Sequence, residues 1–392
     1  MSNLQGRAVA GFEPVREAFA RCFEEHGDVG ASVCVYVDGR SVVDLWGGVA
    51  DPRSGRPWSE QTLAPVFSAT KGITAVCVNQ LIERGSLELD APIARYWPEF
   101  GANGKNSITL RDVLTHRAGL AAVDGKLSLD EVYAWTPVCE AIAAQEPNWE
   151  PGTAHGYHAR SYGWILGEVV RRVTGGSLGC YLAEQMAIPH ALDLYIGLPA
   201  QLEPRVATLI PEPEPGDPEE RALRDRLMGP DTLLGQVLSG PSNLFSYGEM
   251  WNTREMHAAE LPSSNGICSA RSLARMYAML IDQVDGVRLL QPETLARAAR
   301  VAVDGPDRVI MIRTSFGLGF SLPPMLGAAC RAGSFGHPGA GGSLAFADPG
   351  SRMTLAYIPN RMRTGLTGDV RAQSLVEAAY ACVDSSPEAR AS

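Results

Sequence analysis

Near the amino terminus, apolar side chains recur at steps of three and four residues, which is the spacing of one helix face. This pattern predicts a helix over about 14–25, and the repeating residues are Phe12, Val15, Phe19 and Phe23. Two runs rich in β-branched residues follow at 31–37 and 40–46. The dipeptide Asp38-Gly39 between them is typical of a type I′ turn, so the pattern predicts an antiparallel hairpin.

The carboxyl-terminal part of the chain contains further runs of this kind. The sequence predicts strands over 316–322, 343–347 and 353–358, and a closing helix over 375–383. Each strand needs a partner for its backbone hydrogen-bonding groups. We therefore expect strands from the two ends of the chain to pair in one sheet.

The middle of the chain is mostly helical in pattern. Helices are predicted over 161–173, ended by Gly175-Gly176, and over 269–281. The acidic, proline-rich stretch 211–218 cannot form a helix or a central strand, so we expect a surface loop there.

These elements predict a two-domain fold of the α+β or α/β class. An antiparallel sheet built from both chain ends is flanked by helices, and a mostly helical domain is inserted between the two halves. We assign residues 1–110 and 265–392 to the sheet domain and residues 111–264 to the inserted domain. An active site is expected in the cleft between them.

Composition excludes several classes of protein. The chain has 392 residues, of which 45% are hydrophobic and 20% charged, a balance that excludes a disordered chain. Its net charge of −10 and its lack of a basic run argue against nucleic acid as a partner. No cationic segment precedes an apolar stretch at the amino terminus, and no apolar run is long enough to cross a membrane. We expect a soluble, cytoplasmic protein; the sequence leaves its oligomeric state open.

Eight cysteines occur singly, without a C-x-x-C pair or a histidine at metal-ligand spacing. We therefore expect reduced thiols, no metal and no cofactor. Lysine is rare in this chain, which contains Lys71, Lys105 and Lys126 beside many arginines. A functional lysine would for that reason be easy to recognise.

The esterase pattern G-x-S-x-G occurs at 175–179, with Ser177 as its serine. A nucleophile elbow needs a strand before the serine, whereas Ser177 follows a predicted helix. At a helix carboxyl terminus the backbone dipole disfavours an oxyanion, and glycines there are typical of a helix cap. We do not assign Ser177 as a nucleophile.

Ser68-Ala69-Thr70-Lys71 is the better candidate. A three-residue spacing on a helix puts the hydroxyl and the amine on one face, so the lysine can activate the serine without a histidine. An apolar run follows up to Gly85, as expected of a buried central helix. Burial would lower the pKa of Lys71, and the helix amino terminus would stabilise an oxyanion at Ser68. Four letters alone are a weak signal, so the surrounding sequence decides.

Further segments follow this pair in order: RGSLELDAPI at 84–93, YWPEF at 96–100, LTHRAGL at 114–120, PGTAHGY at 151–157 and GHPGAGG at 336–342. In this order and at these spacings, the chain resembles the serine β-lactamase and penicillin-binding-protein superfamily over nearly its whole length. It is most similar to the class C-related branch, the family VIII carboxylesterases.

The resemblance implies roles for individual residues. Ser68 would be the acylated nucleophile and Lys71 the group that accepts its proton. Tyr157 matches the tyrosine of the family's second motif, and it would share one proton with Lys71 because a nearby ammonium favours its anion. The alternative is that Tyr157 is a core aromatic. The matched positions place the oxyanion hole at the backbone N–H groups of Ser68 and Ala340.

Two departures from the family pattern bear on the substrate. The second motif, normally Tyr-x-Asn, ends here in Ala159, which removes an amide that holds the acylamino group of β-lactams. The third, normally Lys-Thr-Gly, reads His337-Pro338-Gly339, which replaces a cation with a mostly neutral imidazole. We assign His337, Pro338 and Gly339 to substrate binding, although this run could instead be only a turn.

A fourth binding residue is Trp251, in the aromatic and methionine-rich stretch 245–265, which would line the acyl or alcohol side of the cleft. Such residues also occur as plain core. The histidines beside Tyr157, His155 and His158, are interpreted as wall residues rather than bases.

The leading hypothesis is a serine carboxylesterase that hydrolyses small-molecule, short-chain acyl esters through an acyl-enzyme on Ser68. A β-lactamase-like amide hydrolase with weak cephalosporin activity is one alternative, and an acyltransferase is another. A non-catalytic scaffold of the same fold is the remaining hypothesis, which the presence of Ser68, Lys71 and Tyr157 disfavours.

Overall fold

Strands from both ends of the chain form one antiparallel sheet in the computed structural model, which describes residues 4–213, 216–363, 365 and 367–385. The strands of these residues are β1 (Gln5–Ala8), β2 (Gly30–Val37), β3 (Arg40–Asp51), β4 (Arg56–Pro57), β5 (Ala64–Pro65), β6 (Leu194–Tyr195), β7 (Ile267–Cys268), β8 (Val303–Pro306), β9 (Arg313–Phe316), β10 (Phe335–Pro338), β11 (Leu344–Asp348) and β12 (Met353–Pro359).

Along the chain, most helices come after the amino-terminal strands of the sheet and before its carboxyl-terminal strands. The helices are α1 (Glu13–Glu24), α2 (Thr70–Glu83), α3 (Leu110–Leu114), α4 (Leu129–Tyr133), α5 (Thr136–Ala144), α6 (Ser161–Thr174), α7 (Leu178–Leu182), α8 (Pro218–Met228), α9 (Leu233–Ser239), α10 (Arg254–Ala258), α11 (Ala270–Ile281), α12 (Pro292–Ala299) and α13 (Val370–Ser385). Among the described residues, no helix is long and apolar enough to cross a membrane.

The main sheet has the strand order β1-β3-β2-β12-β11-β10, and β4 pairs with β3. The amino-terminal hairpin joins the carboxyl-terminal strands through β2 and β12, where Val35 lies opposite Leu355. The predicted turn has positive φ angles of 50° at Asp38 and 71° at Gly39, as a type I′ turn requires. The predicted sheet of two chain ends is confirmed.

Both faces of this sheet are covered, because alternate residues of its strands point to opposite sides. Val33 packs in the cluster that includes Phe19 of α1 and Leu375 of α13. The next residue, Cys34, belongs to the cluster on the other side, which includes Leu273 of α11. The sheet is thus the middle layer between the terminal helices and α11, the arrangement that the sequence predicts.

Helix α2 is buried along nearly its whole length. Its residues Thr70 to Leu81 are all buried, on every side of the helix. It packs in the same large cluster as Trp164 of α6 and Phe335 of β10. The helix therefore holds the segment before it, which contains Ser68, between the sheet and the helical part of the chain.

Several element bounds differ from the prediction. The strand expected over 316–322 is wrong beyond its first residue, because β9 ends at Phe316. The chain then turns at Gly319, whose φ is 89° and where an added Cβ would lie 2.6 Å from the Cβ of Ala75. Glycine is needed for both this conformation and this close approach.

The predicted loop over 211–218 lies partly outside the described residues, at 214 and 215. Pro218 begins α8, because the first helical position tolerates a residue without an N–H. The closing helix α13 begins at Val370 rather than 375. The domain boundaries at 110/111 and 264/265 stay predictions.

Candidate active site

Ser68 lies in a 3₁₀ turn, Phe67–Ala69, that runs directly into α2. Phe67 has a φ of 46°, a left-handed conformation that a bulky residue adopts only when its surroundings impose it. Thr70 supplies one such constraint, since its hydroxyl donates to the Phe67 carbonyl at 2.5 Å and accepts the Gly266 N–H at 2.8 Å. The turn that carries Ser68 is therefore fixed from two sides.

The side chain of Lys71 reaches back from the first turn of α2 toward Ser68. Its Nζ lies 3.4 Å from the Ser68 Oγ. The same Nζ donates to the carbonyl oxygens of Ala159 at 2.7 Å and Ser263 at 3.0 Å. These two carbonyls come from distant parts of the chain, and together with the serine they fix the position of the amine.

Lys71 is fully buried, and no carboxylate of the described residues forms an ion pair with it. Burial, together with repulsion from the Arg160 guanidinium, lowers the pKa of Lys71 well below its ordinary value. The neutral amine is thereby favoured. A neutral amine beside a serine hydroxyl can accept the hydroxyl proton.

Tyr157 lies against Lys71 and is 4% exposed. The centre of its ring is 4.7 Å from the Lys71 Nζ. Burial raises the pKa of Tyr157, and a hydrogen bond with Ser68 opposes this only in part. The expectation of a favoured tyrosine anion is therefore wrong, because burial disfavours a charge on both groups. Burial thus favours a neutral phenol beside a neutral amine.

A buried carboxylate fixes the backbone at Tyr157. Asp307 Oδ1 accepts the N–H groups of Tyr157 at 3.1 Å, Val309 at 2.8 Å and Ile310 at 2.9 Å. Asp307 was missed in the sequence, since it is 150 residues from Tyr157 along the chain and belongs to no motif. Its carboxylate orients the segment that presents the phenol.

The two predicted oxyanion donors both lie in first turns of 3₁₀ segments, where N–H groups have no partner within the segment. Ser68 is in Phe67–Ala69 and Ala340 begins Ala340–Gly342. The two segments are neighbours: an added Cβ on Gly339 would lie 2.1 Å from the Val66 carbonyl oxygen. The small size of Gly339 thus allows this close contact within the chain.

The three residues of the predicted His-Pro-Gly binding run do not all lie beside the nucleophile. His337 and Pro338 end strand β10 and pair with β11, so the His-Pro-Gly run is not only a turn. The His337 ring lies 6.0 Å from that of Tyr157 and is 1% exposed. Pro338 and Gly339 line a different cavity, of about 300 Å³, which does not include Ser68.

Burial lowers the pKa of His337 to about 3, with a further contribution from Lys71. Its Nδ1 is 2.6 Å from the Pro338 carbonyl oxygen, and its Nε2 has no hydrogen-bond partner. The imidazole is therefore neutral at physiological pH, which goes beyond the partial charge that the sequence led us to expect.

A narrow pocket of about 10 Å³ lies at the nucleophile, and we call it the Ser68 pocket. Trp251 lines it, as predicted for the aromatic stretch, and packs against Phe67 with ring centres 4.7 Å apart. The volume is sufficient for about one water molecule. Other residues in its wall are Tyr157, Ala159, Arg160 and Tyr247.

Arg160 is the second residue that the motifs did not reveal. Its guanidinium donates to the carbonyl oxygens of Val237, at 3.1 Å, and Leu238, and it lies 4.1 Å from the centre of the Phe245 ring. Burial lowers the pKa of Arg160 to about 10. Its Nε has no hydrogen-bond partner, although it is buried. The site thus contains a fixed cation one residue beyond Ala159.

The histidines near Tyr157 are buried in the wall of the site. The Leu120 N–H donates to Nε2 of His158 at 3.0 Å, so the Nδ1–H of His158 donates to Gly156 at 2.6 Å. Burial lowers the pKa of His158 to about 4. Burial also lowers the pKa of His155, whose Nε2 is 2.8 Å from the Thr314 hydroxyl.

Ser177 lies elsewhere, where Gly175 ends α6 with a φ of 78°. Its hydroxyl caps the short helix α7 and donates to Glu260 at 2.5 Å. It follows a helix, as predicted, and is also the amino-terminal cap of the next one. No strand leads into it, so it does not form a nucleophile elbow.

The family model described as Beta-lactamase matches residues 16–380. The chain belongs to the Beta-lactamase family. Among curated members, it is 35% identical over 371 residues to the Esterase/beta-lactamase LipL of Mycobacterium tuberculosis, covering 92% of this chain and 84% of that protein.

Solved structures of this family give the same result for the fold. The chain is 37% identical to a structure described as a family VIII carboxylesterase, with a TM-score of 0.87, covering 97% of this chain and 100% of the other. It is 33% identical to a penicillin-binding protein homologue from Caulobacter crescentus, with a TM-score of 0.84 and coverage of 97% and 100%. The predicted family and the β-lactamase/transpeptidase-like fold are confirmed.

Proposed function

We propose that this member of the Beta-lactamase family is a serine carboxylesterase of the S-x-x-K type that hydrolyses short-chain acyl esters. The observation that carries the proposal is the 3.4 Å distance between the Lys71 Nζ and the Ser68 Oγ, with the amine buried and held by two carbonyls. Relatives named esterase or carboxylesterase support ester hydrolysis. The expected cytoplasmic location stays a prediction.

Acylation begins when the neutral amine of Lys71 accepts the proton of the Ser68 hydroxyl. The Ser68 Oγ attacks the ester carbonyl carbon, and the backbone N–H groups of Ser68 and Ala340 stabilise the oxyanion. The C–O bond to the alcohol then breaks. Tyr157 donates its proton to the departing oxygen and regains one from Lys71, so the net result is the transfer of one proton from the serine to the alcohol through the Lys71–Tyr157 pair.

Deacylation repeats these steps with water. The amine of Lys71 accepts a proton from a water molecule, which attacks the acyl carbon. The bond between that carbon and the Ser68 Oγ breaks, and the oxygen recovers a proton from the Lys71–Tyr157 pair. The acid is released and the starting protonation is restored.

Short acyl groups are favoured because the Ser68 pocket has a volume of only about 10 Å³. Esters of neutral alcohols are favoured over β-lactams because the site lacks the family's cation at position 337, where a neutral histidine stands. A slow activity on cephalosporins is the second candidate, supported by the relative named Esterase/beta-lactamase. Transfer of the acyl group to an alcohol uses the same acyl-enzyme.

A panel of p-nitrophenyl esters measured beside nitrocefin tests the proposal. We expect hydrolysis of p-nitrophenyl acetate with a kcat/KM far above that for nitrocefin. Addition of a primary alcohol to the acetate reaction separates hydrolysis from acyl transfer by the product formed. Faster turnover of nitrocefin than of every ester would contradict the esterase assignment.

A further inference from the structure

A groove of about 400 Å³ lies between the end of α8 and helix α9, and we call it the α8–α9 groove. Its apolar walls are formed by Met228, Pro230, Leu238, Phe245 and Tyr247, and its polar part is supplied by Arg224, Asp225, Ser239, Asn243 and Ser246. Leu238 and Tyr247 also line the Ser68 pocket. The groove and the pocket are therefore adjacent and share a wall.

Helix α8 leaves apolar side chains uncovered beside this groove. No residue of α8 is buried. Met228, which lines the groove, is 42% exposed, and Leu223 and Leu227, which lie on α8 outside the groove lining, are 46% and 45% exposed. Apolar side chains of this size favour an apolar ligand over water.

We propose that the α8–α9 groove binds the apolar alcohol part of the ester substrate. This inference rests on the proposed function. Of the two groups joined at the ester, one must be small enough for a pocket of about 10 Å³, whereas the groove, at about 400 Å³, accepts a chain of several carbons. The substrate class is thus an ester of a short acid with a longer apolar alcohol.

The order of the reaction supports this assignment of the two groups. The acyl group stays bonded to Ser68 until water attacks, so its pocket benefits from being narrow. The alcohol must leave before that step, so its site benefits from being open to solvent. Met228, Asn243 and Ser246 are exposed side chains of the groove, which is therefore open to solvent.

Two ester series distinguish the alcohol side from the acyl side. The first is ethyl, butyl, hexyl and octyl acetate, and the second is p-nitrophenyl acetate, butyrate, hexanoate and octanoate. We expect kcat/KM to rise at least about 10-fold from ethyl to hexyl acetate, because each buried methylene contributes roughly fourfold. We expect it to fall along the p-nitrophenyl series.

Variants of the groove test whether it determines the ratio of kcat/KM for hexyl acetate to kcat/KM for ethyl acetate. Met228→Glu should lower the hexyl-to-ethyl acetate ratio about fivefold or more, since a carboxylate disfavours an apolar chain. Ser246→Trp places a large side chain at an exposed position of the groove and should also lower the ratio. It serves as the second test if Met228→Glu folds poorly. Ile188→Glu is the matched control, because Ile188 is 76% exposed and does not line the groove; it should leave the ratio unchanged.

Equal kcat/KM values along the alkyl acetate series, or groove variants with the wild-type ratio, would overturn the groove assignment. Neither result would contradict the proposed esterase function. A rise along the p-nitrophenyl series instead would assign the groove to the acyl group and overturn the proposal. Absence of hydrolysis for every ester in both series would remove the proposed function as well.

Discussion

The Nζ of Lys71 lies 4.7 Å from the centre of the Tyr157 ring, and both side chains are buried. Burial acts on the two groups in opposite directions, lowering the pKa of the amine and raising that of the phenol. Both effects favour the neutral forms. The pair can therefore accept one proton from the serine and donate another to a leaving group without a net charge in its resting state.

Removal of the nucleophile is the first prediction. Ser68→Ala should lower kcat/KM for p-nitrophenyl acetate by about 10³-fold or more, because in the part of the chain that the structure describes no other hydroxyl lies within hydrogen-bonding distance of a lysine amine. Ser177→Ala, which removes a helix cap, should retain activity. A mass increase confined to Ser68 after treatment with an organophosphate would identify the acylated residue, and labelling of Ser177 would contradict the assignment.

Lys71 and Tyr157 should behave as one unit. Lys71→Met and Tyr157→Phe should each lower kcat/KM by roughly 10²- to 10⁴-fold, the range for loss of acid–base catalysis. The double variant should lose little more than the worse single variant, because each proton transfer requires both groups. Steady-state kinetics of the three variants measure this coupling. Additive losses would mean that the two residues act independently.

Arg160 should set the pH at which activity begins. Lys71 acts as a base when neutral, so activity falls as pH falls through the pKa of that amine. Arg160→Met removes a repelling cation and so raises this pKa, which should move the acid limb of the kcat/KM profile to higher pH.

Arg160→Lys keeps the positive charge and is the matched control for that shift. It should retain the wild-type limb even if the maximal rate falls through loss of the contacts to Val237 and Leu238. An unchanged limb in Arg160→Met would show that Arg160 has only a structural role.

Buried neutral histidines should make folding sensitive to acid. An unfolded histidine binds a proton near pH 6.5, whereas burial lowers the pKa to about 4 in His158 and about 3 in His337. Below pH 6.5 the unfolded state therefore binds more protons, and the free energy of unfolding falls as pH falls. At pH 5 the loss should be on the order of 2 kcal/mol for each histidine.

Urea unfolding of wild type and His337→Gln between pH 7 and pH 5 measures this effect. The variant removes one titrating group, so its free energy of unfolding should fall less steeply, by about 1 kcal/mol per pH unit on average over this range. The comparison uses slopes, so it holds even if the variant is less stable at pH 7. Parallel curves would contradict the role of His337.

Local features of the sequence determined much of the fold. The type I′ signal at Asp38-Gly39 predicted the hairpin, and apolar spacing predicted α6 and α11 within one residue at each end. The three-residue spacing of Ser68 and Lys71 predicted their contact, because residues three apart on a helix share a face. These three predictions succeeded because each depends on neighbouring residues alone.

The surroundings of Lys71 were decided by the tertiary structure. Its amine is held by Ala159 and Ser263, which are 88 and 192 residues away along the chain. Periodicity and spacing carry no information on which distant segments meet, so they could not reveal Arg160 as its cationic neighbour or Asp307 as the support of Tyr157. The direction of a pKa shift depends on burial and on nearby charge. The protonation of the Lys71–Tyr157 pair was therefore a property of packing, whereas the identity of its members was already present in the sequence.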